Sequence, residues 1–176
     1  MDATTLLRPG LLADVVVALG GGVALGPWLA APGARTVALP ALDDEDAMAA
    51  TVPGDADALV HDLRPAFAAD GMAPALDRAW VTIRAVATTA FIAGERGGKV
   101  VLVAPAPDAA DPSAQGARAA AENLARTLSI EWARYGIRTV AITPGADTSD
   151  AQLGALAAYL ASPAGDYFSG CRLALG

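Results

Sequence analysis

Cysteine, histidine, lysine and asparagine occur once each in these 176 residues, as Cys171, His61, Lys99 and Asn123, and aromatic residues make up only 5%. One cysteine cannot form an internal disulfide, and the spacing of potential ligands offers no metal site. Acidic residues outnumber basic ones 19 to 12, for a formal net charge of −7. That balance leaves no basic face to neutralise phosphates, which argues against nucleic acid or an anionic membrane surface as partner. No stretch approaches the roughly 20 uninterrupted apolar residues that a spanning helix needs. The opening Met1-Asp2-Ala3-Thr4-Thr5 carries no positively charged leader. Together with the lone cysteine, it sets the expectation of a reducing cytoplasm.

What the chain does have is apolar surface. Hydrophobic residues reach 54%, much of it alanine. At this length that is enough for one well-buried core and one domain, 1–176. The run from Leu12 to Leu19 reads as a buried strand entering a turn at Gly20-Gly21-Gly22. Pro27 suits the first turn of a short helix, and Pro32-Gly33 stops it. Arg35 to Leu39 reads as a second strand, and Asp43-Asp44-Glu45-Asp46 places negative charge at a helix start. A third strand is expected over 57–61. Leu76, Trp80, Ile83, Ala87, Ala90 and Phe91 recur at helical spacing and predict a helix over 74–94, before the Gly97-Gly98 turn. Strand 99–104 follows. Ala117, Ala121, Leu124, Leu128, Trp132 and Tyr135 mark one face of a helix over 115–135, which Gly136 ends. A strand over 137–142, a helix over 150–161 and a strand over 171–175 complete the alternation. Strands and helices alternating in this way need crossover connections, and hence a doubly wound parallel α/β sheet of about six strands.

Gly98-Lys99-Val100-Val101-Leu102-Val103, the stretch from Ala119-Ala120-Ala121-Glu122-Asn123-Leu124 to Tyr135-Gly136-Ile137-Arg138, and Pro144-Gly145 together resemble the catalytic half of the short-chain dehydrogenase/reductase family. The resemblance implies a Rossmann-like fold, shortened relative to that family. It also implies where catalytic residues belong. Anchored on Glu122-Asn123-Leu124, the Tyr-x-x-x-Lys pair falls on Ala114 and Arg118, and the serine strand runs instead into Pro105. The single asparagine, the single lysine and the three tyrosines, Tyr135, Tyr159 and Tyr167, cannot rebuild the family's proton relay in any register. A lowered-pKa phenol is needed to exchange a proton with the substrate oxygen. Arg118 keeps the charge without a phenol, and Ser113 beside it reads as a helix cap.

Leu19-Gly20-Gly21-Gly22-Val23-Ala24-Leu25-Gly26 is similar to the family's dinucleotide turn. It keeps Gly20, Gly22 and Gly26, with Leu19 for the threonine and Ala24 for the middle glycine. A methyl at Ala24 is expected where backbone must approach a pyrophosphate closely. The second strand ends without the acidic residue that holds the ribose, for which Asp43 is a poor substitute. Between Leu39 and Asp57 there is room for little more than a helix. At Asp57-Ala58-Leu59-Val60-His61-Asp62-Leu63-Arg64 the last four residues replace Asn-Asn-Ala-Gly and are expected to crowd a cofactor. His61 reads as structural, Cys171 as a small buried hydrophobe, and Asp147-Thr148 as a turn and helix cap.

By that resemblance, helices 74–94 and 115–135 are one subunit contact, and the last helix with the final strand, which Ala164 to Gly170 precede, is a second. Ala120, Ala121 and Ala125 supply a flat surface, and Trp80 and Trp132 supply anchors. The function expected is a catalytically inactive subunit that pairs with a competent relative in a hetero-oligomer, or that self-associates through the same helices. No cofactor is expected in this chain, and NAD(P) would reside in the partner. A nucleotide- or acyl-CoA-binding homodimeric sensor, resting on Gly20, Gly22 and Gly26, is the alternative. A residual oxidoreductase using Ser113 or Asp111 is the least favoured reading.

Overall fold

Branched apolar residues set the strands, and their alternation sets two cores. The computed structural model describes residues 7–108 and 110–176. The six strands are β1 (Val16–Gly20), β2 (Arg35–Ala38), β3 (Ala58–Asp62), β4 (Gly98–Val103), β5 (Ile137–Thr143) and β6 (Cys171–Ala174). They form one sheet in the order β2-β1-β3-β4-β5-β6, parallel at every pairing. Along β4, Val100 and Leu102 enter one core while Val101 and Val103 enter the other, the two-residue period of a strand covered on both faces.

The helices are α1 (Gly26–Ala30), α2 (Glu45–Ala49), α3 (Arg64–Asp70), α4 (Met72–Val86), α5 (Pro112–Glu131) and α6 (Asp150–Ala161). Leu29 of α1 and Leu153, Ala157 and Leu160 of α6 pack on one face. Met48 of α2, Ala79 and Ile83 of α4, and Ala121, Ala125 and Leu128 of α5 pack on the other. Only α2 lies between β2 and β3, so β2 is the sheet's edge, as the short spacing between Leu39 and Asp57 implies.

Several boundaries depart from the sequence reading. The first strand starts at Val16 rather than Leu12, because turn bonds from Leu11 to Arg8 and from Ala13 to Gly10, and a left-handed Asp14, hold the preceding residues out of the sheet. Helix 74–94 begins at Met72 and gives way to a π-helical turn over Ala87–Ile92. There the Thr88 hydroxyl donates to the Arg84 carbonyl at 2.8 Å, and Phe91 lies fully buried against the bare Cα of Gly98. Helix 115–135 starts at Pro112 and ends at Glu131, followed by a 3₁₀ turn, Ala133–Tyr135, and a left-handed Gly136. Its cap is Asp111, not Ser113. The Asp111 carboxylate accepts from the Ser113 amide at 2.9 Å and its hydroxyl at 2.6 Å.

Candidate functional site

The order β2-β1-β3 reverses direction between β1 and β3, and in doubly wound sheets ligands gather at the carboxyl ends of strands flanking such a switch. Gly20 closes β1 opposite His61 of β3. Gly21, at φ +74°, is the tightest position of the turn that follows, since a Cβ there would collide with the Asp62 carbonyl. Gly22 lies beside Pro65. The glycines thus let the turn pack on the β3–α3 junction. Ala24, expected at the point of closest approach, is instead exposed. Gly26 starts α1, which is only five residues long.

His61, Asp62, Leu63 and Arg64 do not act as one crowded group. His61 and Asp62 belong to β3, Leu63 is the buried N-cap of α3, and Arg64 is its first residue. Arg64 Nε donates to the two Asp62 oxygens at 2.9 and 3.2 Å, Nη2 donates to Asp62 at 2.7 Å, and Nη1 reaches Asp150 at 2.7 Å. Asp62 has only 5% of its side chain exposed. One guanidinium therefore ties the end of β3 to the first turn of α6. The Asp62 hydrogen bonds hold its pKa above the ordinary arginine value, against the opposing effect of burial.

Pro105, Arg118 and Pro144 are brought together. Arg118 Nη1 donates to the Pro105 and Pro144 carbonyls, each at 2.7 Å, bridging the segments that leave β4 and β5. Burial, and secondarily Arg172, lowers the Arg118 pKa. Ala114, one turn earlier, is fully buried. The remaining relay residue types are scattered. Asn123 is exposed on α5, and Lys99 sits near the opposite end of β4, 2.8 Å from Asp166 and bonded to the Ser162 carbonyl. Tyr167 is 92% exposed. Thr148 accepts from the Gly145 amide at 2.8 Å, while the α6 cap is Ser149, in a capping box with Gln152. Cys171 is half-buried rather than buried.

Between the ends of β1, β2 and β3 lies a cavity of about 290 Å³ bordered by Gly21, Gly22, His61, Pro65, Arg78 and Thr82, among others. His61 is 2% exposed, burial pushes its pKa down to about 4, and its Nδ1 has no hydrogen-bond partner. Sequence reasoning placed His61 as structural and missed the cavity. The one available sign was a polar ring after an apolar strand run. Asp43 is taken up by Arg78, at 2.9 Å.

A second concavity, about 380 Å³, runs between the outer faces of α4 and α5, bordered by Leu76, Asp77, Trp80, Ala120, Asn123 and Leu124. Trp80 is 40% exposed, with the Arg84 guanidinium 5.6 Å from its ring centroid, and Ile130 is 77% exposed. Ala121 and Ala125, expected to flatten an outer face, are fully buried against this chain's own sheet. Trp132 also packs on that core. No helix among the described residues is long and apolar enough to cross a membrane. No cluster of three or more His, Cys, Asp or Glu among them could hold a metal ion.

No family model matches the chain, and no curated protein matches it in sequence. Solved structures do match. A citronellol catabolism dehydrogenase of Pseudomonas aeruginosa superposes with a TM-score of 0.77 at 21% identity, covering 97% of this chain and 96% of that one. A hydroxysteroid dehydrogenase from Escherichia coli gives 0.74 at 16% identity, covering 95% and 98%. A variant of a Serratia marcescens short-chain dehydrogenase/reductase gives 0.74 at 19%, covering 94% and 97%. The chain therefore has the short-chain dehydrogenase fold, as the resemblance of residues 98–145 implies.

Proposed function

We propose that this short-chain dehydrogenase-like fold serves as a non-catalytic subunit, pairing through α4 and α5 with a catalytically competent relative that it stabilises or whose substrate pocket it shapes. The observation that carries this reading is Arg118. At the place where the fold relatives' motif has an activating lysine, a guanidinium is committed to two backbone carbonyls, beside a buried Ala114 and a buried Pro105. No side chain there can exchange a proton with a substrate oxygen.

The fit to a dinucleotide is equally poor. The glycine turn lies against Asp62 and Pro65, and β2 ends in Ala38 followed by Leu39 and Pro40, with no carboxylate for a ribose. In this reading NAD(P) belongs to the partner. The same packing disfavours the nucleotide or acyl-CoA sensor, whose phosphates would need that turn. A residual oxidoreductase using Asp111 or Ser113 is disfavoured because both are engaged in capping α5.

An apolar concavity holding a 40% exposed tryptophan between two long helices supports a protein partner. Native mass spectrometry of the tagged chain recovered from its own host tests the reading. A stoichiometric, full-length dehydrogenase is the expected companion. A strictly homomeric protein would overturn it.

A further inference from the structure

The described residues hold three sulfur atoms, and the fold gives them different surroundings. Met48 is fully buried in the core beneath α2, where its sulfur also accepts from the Thr51 hydroxyl at 3.6 Å. Cys171 is half-buried, and burial pushes its thiol pKa up, away from the thiolate that oxidants attack. Met72, the first residue of α4, is 36% exposed. Its sulfur is seated on the bare backbone of Gly116 in α5, so close that a Cβ there would lie 3.0 Å from it. Gly116 is itself exposed, which puts this contact at the surface. A glycine inside a helix costs stability relative to alanine; here it makes the seat for the thioether. Met72 and Gly116 stand one helical turn before Leu76 and Ala120, which border the α4–α5 concavity.

We infer that Met72 is a site of reversible oxidation, at which a hydroperoxide converts the thioether to the sulfoxide and thereby loosens the seat of α4 on α5. A sulfur lone pair attacks one peroxide oxygen and the O–O bond breaks. The departing hydroxide or alkoxide takes up the proton and leaves as water or an alcohol; sulfur is oxidised by two electrons and the peroxide is reduced by two. The product is polar and bulkier than the thioether, and enzymes can reduce it back. The closeness of the sulfur to Gly116 leaves no slack on that side for the change. A thioether needs no deprotonation to react, so this chemistry is not gated by pH as that of Cys171 is. The site does not depend on the subunit reading.

The test exposes the folded full chain to hydrogen peroxide, quenches it at intervals and maps the added oxygen by peptide mass spectrometry. Met72 is expected to gain one oxygen about tenfold faster than Met48, and faster than Cys171 at neutral pH. The oxidised chain should melt about 2–4 °C below the untreated one, and methionine sulfoxide reductase should restore the midpoint. Met72→Leu conserves volume and should fold normally, but peroxide should no longer move its midpoint. That comparison also separates Met72 from Met1, which lies outside the described residues. Equal oxidation rates at Met72 and Met48 overturn the inference. So does a Met72 sulfoxide that leaves the midpoint unchanged, or the same peroxide-induced shift in Met72→Leu. The wild-type mapping and melting stand even where the variant fails to fold. A chain that proves homomeric in its host fails the subunit reading and leaves this result untouched.

Discussion

At residue scale, one histidine sets a pH limit on the fold. His61 is buried and neutral, with a folded-state pKa near 4 against about 6.5 when unfolded. Between those values the unfolded chain takes up the proton first, so stability falls as pH drops through that window and is fully present above it. The loss from this group is about 2 kcal/mol at pH 5. Urea midpoints at pH 7 and pH 5 should show it in the wild type, and His61→Phe should remove most of that difference. An unchanged difference would mean that carboxylates alone cause it. Arg118 behaves in the opposite way, as a charge retained for its geometry. A planar guanidinium can satisfy two carbonyls from one nitrogen while the remainder stays solvated. Arg118→Ala leaves the Pro105 and Pro144 carbonyls without that donor and should cost about 1–2 kcal/mol in denaturant unfolding. A cost near zero would show that water replaces the arginine there.

At the scale of elements, α1 and α6 illustrate how packing decides where helices can meet. Gly154 of α6 faces Trp28 of α1, and a Cβ at Gly154 would overlap that side chain. Gly154→Ala should therefore destabilise by about 1–3 kcal/mol through overpacking, although alanine is the better helix former. Thermal unfolding measures which effect prevails, and a rise in midpoint would count against the contact. The same scale shows what was legible in the sequence. The helix over 150–161 was readable from its apolar run, but its cap was not: the sequence reading put the cap at Asp147-Thr148, whereas Ser149 and Gln152 form the capping box. Six parallel strands were legible because each is a short apolar run between turn residues. α3 was not, since none of its residues is buried and so no periodicity marks it; only Pro65 in its first turn hinted at a helix. Pro105, Ala114 and Arg118 could be singled out from local motifs. Their engagement could not. The bonds from Arg118 to Pro144 and from Arg64 to Asp150 join residues 26 and 86 positions apart, and nothing local in the chain encodes them.

At the scale of the whole molecule, the two ends of the sheet and its outer helix layer have different roles. The strand ends that bind dinucleotides in folds of this kind hold a cavity of about 290 Å³ whose rim charges, Arg78 and Asp70, are already paired, whereas the α4–α5 face holds an uncovered apolar concavity. Trp80, 40% exposed between Leu76 and Leu124, is the aromatic centre of the face that the proposed partner would cover. Trp80→Glu separates the two roles. Because the ring stands at the surface and its neighbour Arg84 also pairs with Glu45 at 3.1 Å, the isolated chain should unfold within about 1 kcal/mol of the wild type. At an interface, however, a carboxylate replacing a central aromatic anchor loses its apolar contact and buries an unpaired charge, and hot-spot truncations of this type cost about 2 kcal/mol or more. Co-purification of the proposed partner subunit should then fall at least tenfold, while far-UV circular dichroism and the melting midpoint stay close to those of the wild type. Undiminished co-purification would move the interface off α4 and α5, leaving the exposed β6 edge, where Arg172 and Ala174 face solvent, as the next surface to test.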